Sequence, residues 1–207
     1  MSTVTLSVED VVGLAPVIPV VVIEDLADAV PLADALVRGG LPAIEVTLRT
    51  PAAAAAIERI AAEVPGAVVG AGTVTTTRQV AEAVGAGARF LVSPGATPTL
   101  LDALQASGVP FLPGTATASD IVALLERDIT YAKLFPAEVV GGVTALKAFA
   151  GPFPQMRFCP TGGINPSNAP EYLALPNVVC VGGSWMIQSG DWNAVEAAAE
   201  QAASLVR

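Results

Sequence analysis

Short apolar runs rich in valine and isoleucine alternate along this chain with longer stretches whose apolar residues recur at helical spacing. The strand-like runs are Pro16–Ile23, Ala43–Leu48, Ala67–Ala71, Phe90–Ser93, Val109–Pro113, Tyr131–Phe135, Arg157–Thr161 and Val178–Gly182. They begin roughly 20 to 27 residues apart, enough for a strand, a turn, a helix and a return loop. Helical patterns fill the gaps at Pro51–Val64, Thr77–Gly85, Pro98–Ser107, Ser119–Arg127, Val143–Ala150 and Asp191–Val206, and a shorter one lies around Ser7–Val12. Start signals stand at Thr50-Pro51, Thr97-Pro98 and Ser119-Asp120, and stop signals at Gly39-Gly40, Gly87 and Gly108. Eight alternating β/α units predict parallel strands closed into an α/β (β/α)₈ TIM barrel, one domain over residues 1–207 with a short N-terminal helix. An open doubly wound sheet is the alternative; no G-x-G-x-x-G follows the first strand, and no P-loop occurs.

Composition narrows the chemistry. The formal net charge of −9 argues against nucleic acid or an anionic membrane as partner. The first residues lack the basic start and apolar run of a signal peptide, and no run of about 18 apolar residues suggests a membrane span. Cys159 and Cys180 sit in apolar runs and read as buried free thiols of a cytoplasmic protein. Histidine is absent, which excludes Ser-His-Asp triads, Cys-His dyads and most zinc sites. No metal and no cofactor is expected.

One of the two lysines is out of place. Lys133 lies in Thr130-Tyr131-Ala132-Lys133-Leu134-Phe135-Pro136, an apolar strand run. Burying an ammonium costs several kcal/mol unless it is paired or neutralised, and a neutral buried amine is a nucleophile suited to forming a Schiff base with a ketone. The plainer reading is a strand-end lysine whose head reaches water. Glu45 sits in an equally apolar run, so both should face the barrel interior, as a proton-shuttling couple or as a structural ion pair. The pleat places Arg49 on the same face as Glu45, where its fork could hold a carboxylate. Parallel barrels carry their sites at the C-terminal strand ends. That rim collects Thr73, Ser93-Pro94-Gly95, Pro113-Gly114-Thr115, Thr161-Gly162-Gly163 and Gly182-Gly183-Ser184, the last two suited to a phosphate.

These residues resemble a known family. Glu45-Val46-Thr47-Leu48-Arg49-Thr50, Val69-Gly70-Ala71-Gly72-Thr73-Val74, Ser93-Pro94-Gly95, Lys133-Leu134-Phe135-Pro136-Ala137-Glu138, Gly151-Pro152-Phe153 and Arg157-Phe158-Cys159-Pro160-Thr161-Gly162-Gly163-Ile164 are similar to the 2-dehydro-3-deoxy-phosphogluconate (KDPG) and 4-hydroxy-2-oxoglutarate (KHG) aldolases, from about Pro16 to Ile187. The resemblance implies a class I aldolase, usually a homotrimer, splitting 2-dehydro-3-deoxy-6-phosphogluconate into pyruvate and glyceraldehyde 3-phosphate in the Entner–Doudoroff pathway. 4-Hydroxy-2-oxoglutarate and the galactonate epimer are the alternative substrates. It implies Lys133 as Schiff-base lysine and Glu45 as general acid/base, partly through a water. Arg49, Thr73 and the Pro94 turn would hold the pyruvate carboxylate, and Phe135 would pack on the ketone chain. Thr161 would face the hydroxylated part, and Gly162, Gly163, Gly183 and Ser184 would bind phosphate. Three places depart from the family: Leu134 stands where an aromatic residue is common, Thr115–Asp120 is an unusual loop, and Leu14-Ala15-Pro16 stand where some relatives have a helpful arginine. These are expected to touch sugar specificity more than core chemistry. An isomerase or epimerase using Glu45 as base, and a non-catalytic phosphosugar-binding barrel, remain as other readings of the residues themselves.

Overall fold

The computed structural model describes residues 6–187 and 190–206. Strand and helix alternate as the pattern predicts. The strands are β1 (Val17–Val21), β2 (Ala43–Thr47), β3 (Val68–Gly72), β4 (Leu91–Val92), β5 (Phe111–Leu112), β6 (Gly114–Thr115), β7 (Tyr131–Leu134), β8 (Arg157–Pro160) and β9 (Val181–Gly183). The helices are α1 (Val8–Gly13), α2 (Ala29–Arg38), α3 (Ala53–Glu63), α4 (Thr77–Gly85), α5 (Pro98–Ala106), α6 (Ala118–Leu125), α7 (Gly142–Ala150), α8 (Ala169–Leu173) and α9 (Trp192–Ala203), with a 3₁₀ turn at Leu26–Asp28. Helices α2 and α8 are not among the helical stretches that the sequence pattern picks out. Pro31 in the first turn of α2 obscures its start, and α8 is five residues long with Pro170 inside it.

All the pairings are parallel: β5-β4-β3-β2-β1-β9 form one sheet and β6-β7-β8 the other. The two join into a barrel. Strands β5 and β6 are one expected strand interrupted at Pro113, which has no N–H to give a neighbour. On the other side, the bridges Phe158–Val178 and Thr161–Gly182 connect β8 to the β9 segment. The eighth strand therefore starts later than expected, with Val178 paired in isolation.

Alternation divides the core in two. Ile44 and Val46, Ala132 and Leu134, Phe158 and Val181 face outward into the shell between strands and helices. Ile18, Ala43, Phe90, Val92, Leu112, Cys159 and Cys180 fill the interior, closed below by Val11 and Val12 of α1. Both cysteines are buried and neither is in a disulfide, as expected. Helix α1 is started by a Ser7–Asp10 capping box and held by the Tyr131 hydroxyl, which donates to Glu9. Burial, with that bond, pushes the Tyr131 hydroxyl up to about 12. An unfolded tyrosine ionises near 10, so the folded state holds the extra proton between about pH 10 and 12. The stability that Tyr131 contributes is complete below about pH 10 and is lost as pH rises through that window. Tyr131→Phe should flatten part of that alkaline slope in urea titrations; an unchanged slope would show that Tyr131 does not bear it.

Candidate active site

Strands β2 and β7 lie on opposite sides of the barrel, and each sends one charged side chain into the interior. Glu45 is register-paired with Gly70 of β3, and Lys133 with Gly114 of β6 and Cys159 of β8. They meet across the barrel: Lys133 Nζ lies 3.1 Å from Glu45 Oε1 and 3.5 Å from Oε2. Both side chains are buried, 6% and 4% exposed, so this pair is shielded from the solvent that weakens surface ion pairs. The lysine does not reach water along its stem; the plainer sequence reading fails here. Removing either partner would strand the other charge in a low-dielectric interior.

The sequence reading missed what makes room for this pair. A Cβ on Gly72 would lie 2.2 Å from Glu45 Oε1, so the carboxylate occupies the space a side chain there would take. The signal was available, since Gly70 and Gly72 share the inward parity of β3. Gly114 similarly passes so close to the Pro94 carbonyl that a Cβ would sit 2.2 Å from it, and its N–H donates to Ser93 Oγ at 3.3 Å. The Ser93-Pro94-Gly95 turn is thereby fixed against β6.

Around the mouth, Phe135 follows Lys133 with the same parity, and Nζ lies 5.3 Å from its ring centroid. Thr161 is buried, with Oγ1 in the space that Gly182 leaves open. Thr73 follows β3 with φ +56°, a left-handed conformation that is rare for a β-branched residue and costs of order 1–3 kcal/mol. Arg49 is at the rim, but not by the pleat argument. Strand β2 ends at Thr47, and a tight turn with Arg49 N donating to Thr47 O carries the exposed arginine beyond it.

The glycine turns after β8 and β9 close the rim. Gly162 and Gly163 are both left-handed, φ +101° and +83°. Their carbonyls are tied back into the protein: Glu138 N donates to Gly162 O at 3.1 Å, and Asn168 Nδ2 to Gly163 O at 3.0 Å. Among the described residues no acceptor takes the N–H of Gly163, Ile164 or Ser184. Consecutive free N–H groups of this kind form an anion-binding nest. Ser184 is exposed, and the Trp185 ring covers Gly183.

Two of the three departures from the family lie off the site, and the third is the loop that follows β6 at the rim. Leu134 is fully buried in the outer shell, packed toward the helices, so its exchange for an aromatic residue alters packing and not sugar contacts. Thr117 and Asp120 form the capping box that starts α6, which explains the unusual loop. Residues Leu14-Ala15-Pro16 precede β1 and so lie at the barrel's other end. That end also carries a groove of about 490 Å³ lined by Leu6, Val109 and Phe111.

Residues 8–198 match the model of the KDPG and KHG aldolase family. The chain belongs to that family. It is 51% identical over 201 residues to a 2-dehydro-3-deoxy-phosphogluconate aldolase of Pseudoalteromonas atlantica, covering 95% of this chain and 94% of the relative. It is 48% identical to the KHG/KDPG aldolase of Escherichia coli, with the same coverage. The KDPG aldolase structure from Zymomonas mobilis, solved with 3-phosphoglycerate, superposes with a TM-score of 0.94 at 50% identity, over 97% of this chain and 96% of that one. The Legionella pneumophila KDPG aldolase, solved with pyruvate captured as a covalent carbinolamine, superposes with a TM-score of 0.94 at 46% identity, over 96% and 99%. The chain is thus an aldolase, a carbon–carbon lyase.

Proposed function

We propose that this protein cleaves 2-dehydro-3-deoxy-6-phosphogluconate to pyruvate and glyceraldehyde 3-phosphate through a Schiff base on Lys133. The observation that carries the reading is the buried Lys133–Glu45 contact at 3.1 Å beneath the mouth of the barrel. A carboxylate at that distance can take a proton from the ammonium and free the amine lone pair. The amine then adds to the substrate C2 carbonyl, Glu45 gives its proton to the carbinolamine hydroxyl, and loss of that group as water leaves a protonated imine and an ionised Glu45. Glu45, acting partly through a water, removes the C4 hydroxyl proton. The C3–C4 bond breaks, the aldehyde leaves, and the electron pair moves into the imine as an enamine. Protonation at C3 and hydrolysis release pyruvate and restore the lysine.

In this proposal Arg49, Thr73 and the Pro94 turn hold the pyruvate carboxylate. Strain at Thr73 supports its part, since backbone outliers cluster at ligand clamps. Phe135 packs on the ketone chain and Thr161 meets the sugar hydroxyls. Gly162, Gly163, Gly183 and Ser184 take the terminal phosphate, supported by the free N–H groups of the two turns. No metal or cofactor enters the scheme. The proposal covers one domain over residues 1–207, acting in the cytoplasm as a homotrimer. Sedimentation at three times the 20.8 kDa monomer mass would agree with the trimer, and a monomer would refute it. Among the described residues no helix is long and apolar enough to cross a membrane.

The phosphate assignment is tested by substrate choice. Phosphorylated 2-keto-3-deoxy acids should be preferred over their dephosphorylated forms. Ser184→Ala should cost about 1.5–3 kcal/mol in kcat/KM, one hydrogen bond to a charged group. Gly163→Val should cost more: the residue has φ +83°, and a Cβ would lie 2.5 Å from Glu138 Cγ. Pyruvate imine formation should survive both changes. Equal turnover of phosphorylated and dephosphorylated substrates would favour 4-hydroxy-2-oxoglutarate as the natural substrate.

A further inference from the structure

A carboxylate stands where an anion site would least tolerate one. The Glu138 stem packs directly over Gly163, and its carboxyl carbon lies 3.9 Å from the point a Gly163 Cβ would occupy. Glu138 is exposed, so water does not force its head in one direction. Its Oε1 accepts the hydroxyl of Tyr172, which reaches up from α8 and is itself 1% exposed. Gly142 leaves the space for that hydroxyl, since a Cβ there would be 2.5 Å from Tyr172 Oη. Burial, and then the bond to Glu138, pushes the Tyr172 hydroxyl far above the usual tyrosine range, so it remains a donor at any working pH.

We propose that Tyr172 is a positioning residue for phosphate selectivity: it holds the Glu138 carboxylate against α8 and keeps that charge from turning into the Gly162–Gly163 cradle. The proposal rests on the reading of those turns as the phosphate site. It explains why a chain of net charge −9 keeps a carboxylate on the flank of an anion nest. The backbone of Glu138 is needed there, because its N–H ties the Gly162 carbonyl, and the stem is the surface on which Gly163 lies. Only the charge has to be restrained. Two like charges about 6 Å apart in a partly screened rim cost enough to change affinity about tenfold.

Tyr172→Phe removes the hydroxyl and keeps the ring. KM for the phosphorylated substrate should rise about tenfold, with kcat and the rate of borohydride trapping of pyruvate within about twofold of the parent. Adding Glu138→Gln to that variant should return KM to near the parent value, because the charge is gone and an amide does not repel phosphate. Glu138→Gln alone keeps an acceptor for Tyr172 and should lower KM by about twofold; it serves as the test if the tyrosine variant does not fold. An unchanged KM in Tyr172→Phe, an equal fall in pyruvate trapping, or no recovery in the double variant would overturn the proposal. So would a large loss of kcat in Glu138→Gln. If Gly163→Val and Ser184→Ala also leave phosphate preference untouched, the phosphate site itself has failed; if they abolish it while Tyr172→Phe does nothing, only the role of Tyr172 has failed.

Discussion

Lys133→Arg is expected to abolish aldol cleavage while leaving the fold intact. A guanidinium keeps the positive charge and can still meet Glu45 across the barrel, but it cannot form an imine. The companion result is positive. Borohydride added with pyruvate should leave a reduced pyruvyl group on Lys133, read as a mass increase and located by peptide mapping. The chain contains only one other lysine, Lys147, exposed on α7 and away from the strand ends. An adduct on Lys147, or none at all, would sink the Schiff-base assignment. The same trap separates the competing readings, since neither an isomerase using Glu45 as base nor a non-catalytic barrel would gain irreversible mass.

Much of this is legible in the sequence, for identifiable physical reasons. A parallel barrel buries both faces of its strands, so its strands read as apolar runs at regular spacing. Against that background a lysine or glutamate stands out, and Lys133 and Glu45 could be picked from the pattern alone. What pattern reading lost was parity and extent. Continuing the pleat of β2 puts Arg49 on the face of Glu45, but the strand ends at Thr47 and a turn places the arginine. Leu134, a departure from the family expected to touch sugar specificity, is pointed outward by alternation. Strands β4, β5 and β6 shrink to two residues each because Pro94, Pro110 and Pro113 interrupt their ladders. Contacts between distant segments had no local signal. The Tyr131–Glu9 and Tyr172–Glu138 bonds join residues 122 and 34 positions apart, and the donors to the Gly163 carbonyl come from a loop with no motif of its own.

Glu45→Gln should lower kcat by about 10²–10⁴, the usual contribution of a positioned acid–base group. The amide keeps the shape and can still accept from Lys133, so folding should be retained, but it cannot take up a proton. Pyruvate trapping should slow less than cleavage, because breaking C3–C4 requires a base at the C4 hydroxyl and trapping does not. Gly72→Ala offers an independent approach to the same carboxylate. Its methyl would arrive 2.2 Å from Glu45 Oε1 and 2.5 Å from Cγ, so the glutamate must move while its chemistry is preserved. A displacement of about 1 Å in a reacting group can cost about 10²-fold in rate. Gly72→Ala should therefore follow Glu45→Gln in losing kcat more than KM. Near-parental activity in Glu45→Gln would remove this carboxylate from proton transfer. Glu138, five residues beyond Lys133, would then need testing, although Tyr172 holds it on the flank of the Gly163 turn.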